Sequence, residues 1–97
     1  MRSIQLADIE TAARVLMQVA PEMRRVVMQD MIVRAQQADR YRIAKRRPHP
    51  RWGTGTLMSC ALRQQMAPRP AALEADALHA YAVALDVLMA HTSHQSA

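Results

Sequence analysis

The chain has 97 residues, with 13 Lys and Arg against 8 Asp and Glu, one Cys and three aromatic residues, and its formal net charge is +5. This length predicts one domain, and no apolar run approaches the ~20 residues that cross a bilayer, which argues against a membrane protein. A single Cys excludes an intramolecular disulfide, and Asp8 and Glu10 interrupt the one candidate secretory segment, so we expect a cytoplasmic protein without membrane association.

Two helices are predicted in the first half of the chain. Apolar residues recur at helical spacing after Asp8, a favourable N-cap residue, which predicts helix 1 over about residues 8 to 19. Pro21 suits the first position of a helix, and no Gly or Pro follows until Pro48, which predicts a long helix 2 over about residues 21 to 46. That helix would measure about 39 Å, whereas a compact domain of this size is about 32 Å across. We therefore expect helix 2 to protrude, to bend or to be covered by a second copy.

A loop rich in Gly and Pro is predicted over residues 47 to 55, because its prolines cannot continue a helix. Thr54 or Thr56 is then expected to cap a short helix 3, which ends before Pro68. This loop separates the long second helix from the rest of the domain.

Helix 4 is predicted over about residues 71 to 91, and the polar residues 92 to 97 predict a flexible C-terminal tail. We find no strand alternation and no internal repeat. The four helices therefore predict a single all-α, four-helix bundle-like domain over residues 1 to 91. The predicted apolar stripe of helix 4 consists of Leu78, Tyr81, Leu85, Leu88 and Met89.

The apolar faces of helices 2 and 4 are compatible with self-association as well as with ordinary core packing. Faces rich in Ala and Met more often fill a core, but the length of helix 2 favours a homo-oligomer. Met31 of helix 2 and Leu85 of helix 4 are assigned to the predicted oligomer interface.

A basic stretch at the end of helix 2 and in the following loop is the first feature that bears on function. Between residues 34 and 51, seven Lys and Arg side chains are opposed only by Asp39, which gives a local charge of +6. Such density attracts a polyanion, but cations near a helix C-terminus also interact favourably with the helix dipole. A phosphate-binding surface and a solvated helix end are therefore both open interpretations. The predicted nucleic-acid contacts are Arg40, Arg42, Lys45, Arg46, Arg47, Arg51 and Trp52.

The segment from Arg51 to Thr56 contains two glycines directly before a predicted helix start, an arrangement that suits anion binding. It is neither a Walker A loop nor a dinucleotide-binding fingerprint, so nucleotide hydrolysis is not expected. Trp52 either stacks on a nucleobase or covers the end of the bundle as its largest aromatic side chain.

No constellation of residues predicts catalysis or metal binding. Cys60 is expected to be a small buried hydrophobe, because the sequence places no His beside it as a base. His91 and His94 have the spacing of one helical face, but two ligands are too few for a metal site. We therefore predict no enzyme activity, no cofactor and no metal.

The segment from His49 to Met58, preceded by Ala38-Asp39-Arg40, resembles a small uncharacterised family of alphaproteobacterial proteins of the Rhodobacter group. The shared elements are an opening helix rich in Asp and Ala, the Ala-Asp-Arg end of helix 2, and a His-Pro-x-aromatic-Gly-x-Gly-Ser/Thr-Leu-Met turn. Thr54 stands where the family pattern has Asp or Asn. The resemblance implies an association with phage-derived gene transfer agents, in which a small basic helical oligomer would resemble the small terminase subunit that loads DNA onto the packaging motor.

Charge, helical organisation and this resemblance together favour a non-catalytic, oligomeric adaptor in nucleic-acid binding or DNA packaging. Its expected partners are nucleic acid, bound through phosphates without sequence specificity, further copies of the chain, and a packaging motor subunit. The alternative is a protein–protein regulatory adaptor that docks an acidic partner without nucleic acid.

Overall fold

The computed structural model describes residues 1–96, and within them it contains four α-helices and no β-strand. A 3₁₀ turn, Pro21–Met23, precedes the second helix. The predicted all-α, four-helix bundle-like class is confirmed. Among the described helices, none has both the length and the hydrophobicity that crossing a bilayer requires. The helices are α1 (Leu6–Leu16), α2 (Arg24–Lys45), α3 (Leu57–Ala61) and α4 (Ala75–Ser96).

All four helices contribute buried side chains to one core. The largest apolar side chains that are fully buried come from α1, α2 and α3, whereas α4 contributes mainly alanine and valine. Alanines let helix backbones approach closely, so a chain with few bulky residues still fills its interior. The largest of these buried apolar side chains are Leu16, Met28, Met31 and Leu57.

Helix α2 is shorter than predicted at its start. Regular α-helix begins at Arg24, after the 3₁₀ turn, and runs for 22 residues, which corresponds to about 33 Å. The domain measures 41 × 31 × 22 Å, so its long axis exceeds the length of α2. The length of α2 therefore gives no reason to expect a second copy, because the diameter of about 32 Å assumed a spherical domain.

Asp8 caps helices, but from a different position than predicted. Helix α1 begins at Leu6 with Gln5 as its N-cap, so Asp8 occupies the third helical position. One carboxylate oxygen of Asp8 accepts a hydrogen bond from the backbone N–H of Gln5 at 2.6 Å, and the other accepts from that of Met58 at 2.8 Å. Because Asp8 is buried, this single carboxylate ties the N-termini of α1 and α3 together.

Helix α3 begins at one of the two predicted caps. The hydroxyl oxygen of Thr56 accepts a hydrogen bond from the backbone N–H of Ser59 at 3.0 Å, so Thr56 rather than Thr54 caps the helix. The helix ends at Ala61, well before Pro68.

The chain between α3 and α4 is not helical and packs on α1. Ala67 donates its backbone N–H to the carbonyl of Arg14 at 3.0 Å, and Nε of Arg14 donates to the carbonyl of Ala67 at 2.8 Å. Pro68 disfavours helical backbone at the preceding residue, which suits this pairing. Helix α4 consequently begins at Ala75, four residues after its predicted start.

Helix α4 buries a different face from the predicted one, and it ends later. The structure buries the face that lies one residue before the predicted stripe, so Leu78, Leu85 and Met89 are exposed. The helix also continues to Ser96, so the predicted tail has helical backbone up to that residue, and residue 97 lies outside the described residues. The buried residues of α4 are Ala77, Ala80, Ala84, Val87 and Leu88.

A buried arginine, Arg24, joins the ends of three helices. Its side chain is 2% exposed, and its Nε donates to the carbonyls of Leu16 at 2.8 Å and Val19 at 3.1 Å, at the end of α1. Its Nη2 donates to Oδ1 of Asp76 at 2.8 Å, and its Nη1 lies 2.8 Å from Nδ1 of His79, both in the first turns of α4. No periodicity or motif in the sequence predicts this contact.

Candidate functional site

The loop between α2 and α3 folds back on α2 around His49. His49 and Gly53 exchange two backbone hydrogen bonds, of 2.8 and 3.1 Å, which close a tight turn. Nδ1 of His49 accepts the backbone N–H groups of Arg51 and Trp52 at 3.0 and 3.1 Å. The ring of Tyr41, on α2, contacts the His49 ring edge to face, with centroids 4.9 Å apart. His49 therefore fixes the shape of the loop through its backbone and its ring.

Both glycines of the loop are required by close contacts. Gly53 has φ +88°, and a Cβ built on it would lie 1.9 Å from Oγ of Ser59, the atom that accepts the N–H of Thr54. Gly55 has φ +94°, and a Cβ there would lie 2.7 Å from Oδ1 and 2.8 Å from Cα of Asp39. Any side chain at Gly55 would therefore push the loop off the backbone of α2. The two motifs that carry the family resemblance thus meet in space, Asp39 against Gly55.

Trp52 is half-buried and packs against the core. The guanidinium of Arg34, from α2, lies 4.4 Å from the centroid of the indole, and that of Arg51 lies 5.3 Å from it. Arg34 is also paired with Asp30, one turn earlier, at 3.0 Å. This geometry favours the interpretation of Trp52 as a cover for the bundle, because cations of the same chain already lie over the ring. Stacking of Trp52 on a nucleobase stays a prediction.

Four arginines from two parts of the chain line an open cleft of about 500 Å³ at the C-terminal end of α2. Arg42 comes from the last turn of α2, Arg46 and Arg47 from the residues that follow it, and Arg2 from the segment before α1. We refer to this opening as the basic cleft. Its remaining lining residues are Ile43, Pro48 and Thr54.

Arg46 turns the chain at the end of α2 and directs Arg47 into the same opening. It is the C-cap residue in a left-handed conformation, with φ 56° and ψ 36°, and its N–H donates to the carbonyl of Arg42 at 2.8 Å. Within residues 1–96, the side chains of Arg46 and Arg47 form no ion pair and no hydrogen bond. Two exposed guanidinium groups are therefore available to a ligand.

Arg2 lines the basic cleft although it lies far from the other three arginines in the sequence. Its backbone N–H donates to the carbonyl of Gly55 at 2.9 Å, and its Nη1 lies 3.5 Å from the carbonyl oxygen of Thr54. No sequence pattern signals this placement, because a backbone contact with the loop produces it.

The predicted contact residues do not share one surface. Successive residues of an α-helix are rotated by about 100°, so Arg40 lies about 200° around α2 from Arg42, away from the basic cleft. Lys45 is exposed but does not line the cleft, and Arg51 lies with the indole of Trp52. Of the seven predicted residues, Arg42, Arg46 and Arg47 line the basic cleft, and Arg51 and Trp52 lie together outside its lining.

Asp39 is the carboxylate next to the basic cleft. Its Oδ1 accepts from Nη2 and Nε of Arg42 at 2.8 and 3.2 Å, and its Oδ2 lies 3.4 Å from the amino nitrogen of Met1. Burial alone would raise the pKa of Asp39, but Arg42 and the Met1 amino group outweigh it and hold that pKa below its ordinary value of 3.8. Asp39 is therefore ionised at neutral pH and offsets part of the arginine charge.

The structure places the candidate nucleophile, Cys60, and one candidate metal ligand, His91, in surroundings that do not indicate catalysis or metal binding. Cys60 is fully buried, and burial raises the pKa of its thiol to about 11, so the prediction of a small buried hydrophobe is confirmed. Nε2 of His91 lies 3.3 Å from Nε2 of Gln36, and the side chain of His94 lies outside the described part of the chain. Among the described residues, no three His, Cys, Asp or Glu side chains group as metal ligands. The absence of enzyme activity and of a cofactor stays a prediction.

The two residues assigned to an oligomer interface lie in different environments. Met31 is fully buried in the core of its own domain, which corrects its assignment to an interface. Leu85 is 42% exposed, and it borders an apolar groove of about 350 Å³ between α4 and the residues at the start of the chain. Leu78 and Met89 are exposed on the same face of α4. The interface prediction therefore depends on the exposed face of α4.

Comparison with protein families gives one match, to a family described as Domain of unknown function (DUF7742), over residues 2–88. The matched range contains α1, α2, α3, the loop and every residue of the basic cleft. Comparison with curated proteins and with solved structures gives no match.

Proposed function

The chain belongs to the DUF7742 family, and from its geometry we propose that it is a non-catalytic adaptor that binds nucleic acid through the basic cleft. The observation that carries this proposal is the convergence of four arginines on one opening, of which Arg42 is the one that pairs with a carboxylate, Asp39, among the described residues. Guanidinium groups suit phosphate because their fork of donors matches two phosphate oxygens at once. Contacts to phosphate carry no base information, so binding is expected to be independent of sequence.

The proposal extends to DNA packaging by an oligomer that resembles a small terminase subunit. Its support is the resemblance of the segment from His49 to Met58 to proteins associated with gene transfer agents, together with the small, basic, all-α domain. In an assembly of several copies, one basic cleft per protomer would give an array of phosphate contacts along the duplex. A packaging motor subunit is the expected protein partner.

The test is binding of a fluorescein-labelled DNA duplex, followed by anisotropy at several salt concentrations. The logarithm of the association constant is expected to fall with the logarithm of salt, by about 0.9 for each phosphate neutralised. The double variant Arg46→Gln with Arg47→Gln should flatten that slope by roughly two units and leave the fold intact, because neither side chain has a partner among the described residues.

A charge-matched control separates the cleft from general electrostatics. Arg63→Gln with Arg69→Gln removes the same formal charge from two exposed side chains that line no part of the basic cleft, although Arg69 is paired with Glu10 at 3.1 Å, and it should leave the slope close to that of the wild type. Equal effects of the two double variants would show that net charge alone drives binding. Absence of binding by the wild type at ~50 mM salt would refute the nucleic-acid proposal.

The second candidate function is a protein–protein adaptor, and the exposed face of α4 favours it. Leu78, Leu85 and Met89 are exposed on this face, and exposed apolar clusters of this kind occur at interfaces. Leu85→Glu should lower the mass measured by light scattering if this face joins copies of the chain. If the wild type is monomeric at high concentration, this face does not join copies of the chain, and its expected partner is a different protein. That partner should be acidic if the arginines also contact it.

A further inference from the structure

We propose that the basic cleft holds a single phosphate group of a nucleic-acid backbone, with Arg2 and Arg42 as fixed ligands and Arg46 and Arg47 as ligands that close over it. This inference rests on the proposed function, because it names the group of the nucleic acid that the cleft would bind. It also adds a residue, Arg2, that lies far from the basic stretch in the sequence.

The fixed half of the site is built by contacts within the fold. The backbone N–H of Arg2 donates to the carbonyl of Gly55 at 2.9 Å, so its side chain starts from a held position beside the cleft. Arg42 uses Nε and Nη2 to reach Asp39, at 3.2 and 2.8 Å, which leaves its Nη1 free to donate. The backbone of Arg2 and the guanidinium of Arg42, from separate segments, are thus held before a ligand arrives, which reduces the entropy lost on binding.

The closing half of the site has no role within the fold. The side chains of Arg46 and Arg47 have no partner among residues 1–96. Arg46 also has φ 56°, a conformation that glycine adopts at lower energy at a helix C-terminus. The fold itself would therefore be served better by glycine at this position, and the guanidinium is left for a ligand.

The size and charge of the opening fit this ligand. A volume of about 500 Å³ lies within the range of small-ligand sites, roughly 300 to 1,000 Å³, and admits a phosphate with its adjoining sugars. Asp39 neutralises one of the four arginines, so the site retains a positive charge that a phosphodiester would balance in part. The arginines that line the opening can donate to different phosphate oxygens.

The decisive variant is Arg2→Gln, because it leaves the basic stretch of α2 unchanged. It should weaken binding of a labelled DNA duplex about tenfold at low salt and reduce the log–log salt slope by about 0.9. The fold should be retained, since the bond from Arg2 to Gly55 is made by the backbone. Arg63→Gln, which removes an exposed cation outside the cleft, is the matched control and should bind as the wild type does.

A second variant, Arg46→Gly, separates binding from folding. Its thermal midpoint should equal or exceed that of the wild type, while its affinity for the duplex falls. Inorganic phosphate, compared with chloride at equal ionic strength, then shows which phosphate the site accepts. If phosphate displaces the duplex more than chloride does, and Arg2→Gln abolishes that difference, a free phosphate group is sufficient for binding at the site. Equal displacement by both salts, with Arg2→Gln still weakened, would assign the site to the polymer backbone.

Two results distinguish failure of the site from failure of the function. In the first, Arg2→Gln or Arg46→Gly binds the duplex as the wild type does, whereas Arg46→Gln with Arg47→Gln loses binding. This result would refute the four-arginine site but not nucleic-acid binding. If the wild type binds no duplex, the proposed function itself is refuted.

Discussion

Replacing the buried Arg24 by Met is expected to remove a large part of the free energy of unfolding. From the first residue of α2, the guanidinium of Arg24 hydrogen-bonds both to the end of α1 and to the start of α4, and its side chain is 2% exposed. Met preserves most of the side-chain length and its apolar packing, so the change isolates the guanidinium. The adjacent Arg25 offers a matched control, because it pairs with Asp86 across α2 and α4 where both side chains are more than half exposed.

The size of the loss in the free energy of unfolding follows from the hydrogen-bond acceptors that lose the guanidinium as their donor. The carbonyl of Val19 keeps no other hydrogen bond among those found, whereas that of Leu16 still accepts from the N–H of Val19 at 3.0 Å. Asp76 is 63% exposed, so water replaces most of what its carboxylate loses. One part-buried acceptor without a donor, the carbonyl of Val19, therefore sets most of the loss, at about 1–3 kcal/mol. A domain of this size has about 5–15 kcal/mol in total.

The assay is thermal unfolding followed by circular dichroism, with urea unfolding as an independent measure. A loss of about 1–3 kcal/mol should lower the thermal midpoint of Arg24→Met by roughly 5–25 °C. Arg25→Met should lower it far less, because an exposed ion pair contributes about 0–1 kcal/mol. Equal midpoints for the two variants would refute the assignment of a structural role to the buried guanidinium.

Three further predictions concern the loop, the acid response and the thiol. Gly55→Ala should lower the free energy of unfolding by at least about 2 kcal/mol in urea, because its Cβ would lie 2.8 Å from Cα of Asp39; a loss no larger than that of Thr54→Ala would contradict this. The lowered pKa of Asp39 contributes stability that is complete above its ordinary value of 3.8 and is lost as pH falls through the folded value. The stability difference between the wild type and Asp39→Asn should therefore shrink below pH 3.8, and a constant difference would count against the ion pairs. Cys60 should resist iodoacetamide at pH 8 in the native state and react in urea, since burial raises its pKa to about 11; stoichiometric native alkylation would contradict its burial.

The helices and the loop were predictable because proline and glycine act locally. Pro48 cannot continue a helix that precedes it, and a threonine before an apolar run caps the next one, so α2, the loop and α3 lie close to their predicted positions. Pro21 was harder to interpret, since both an α-helix and a 3₁₀ turn accept proline at the first position. The boundaries therefore shifted by a few residues while the order of elements was correct.

The orientation of α4 was not predictable from its periodicity. Its apolar residues cover two adjoining faces, one with Leu78 and Leu85 and the other with Ala80 and Ala84, and side-chain size favoured the wrong one. The structure buries the alanines because α1 and α2 approach α4 closely, a distance that no local pattern encodes. Arg24 and Arg2 were missed for a related reason, since their partners lie in segments remote in the sequence.

The arginines of the basic stretch have different environments in the structure, although the sequence alone does not distinguish them. Arg34 lies over an indole and pairs with Asp30, and Arg42 pairs with Asp39, so both have partners that the fold itself supplies. The neighbouring Arg46 has no such partner, and it holds a left-handed backbone that glycine would adopt more easily. A solvated helix end accounts for the charge at this position but not for the convergence of four arginines from two segments on one opening. That convergence depends on the turn around His49, whose two glycines and ring nitrogen bring the loop against α2. The turn from His49 to Gly55 therefore shapes one side of the cleft, and Arg46 and Arg47 beside it have no side-chain partner among the described residues.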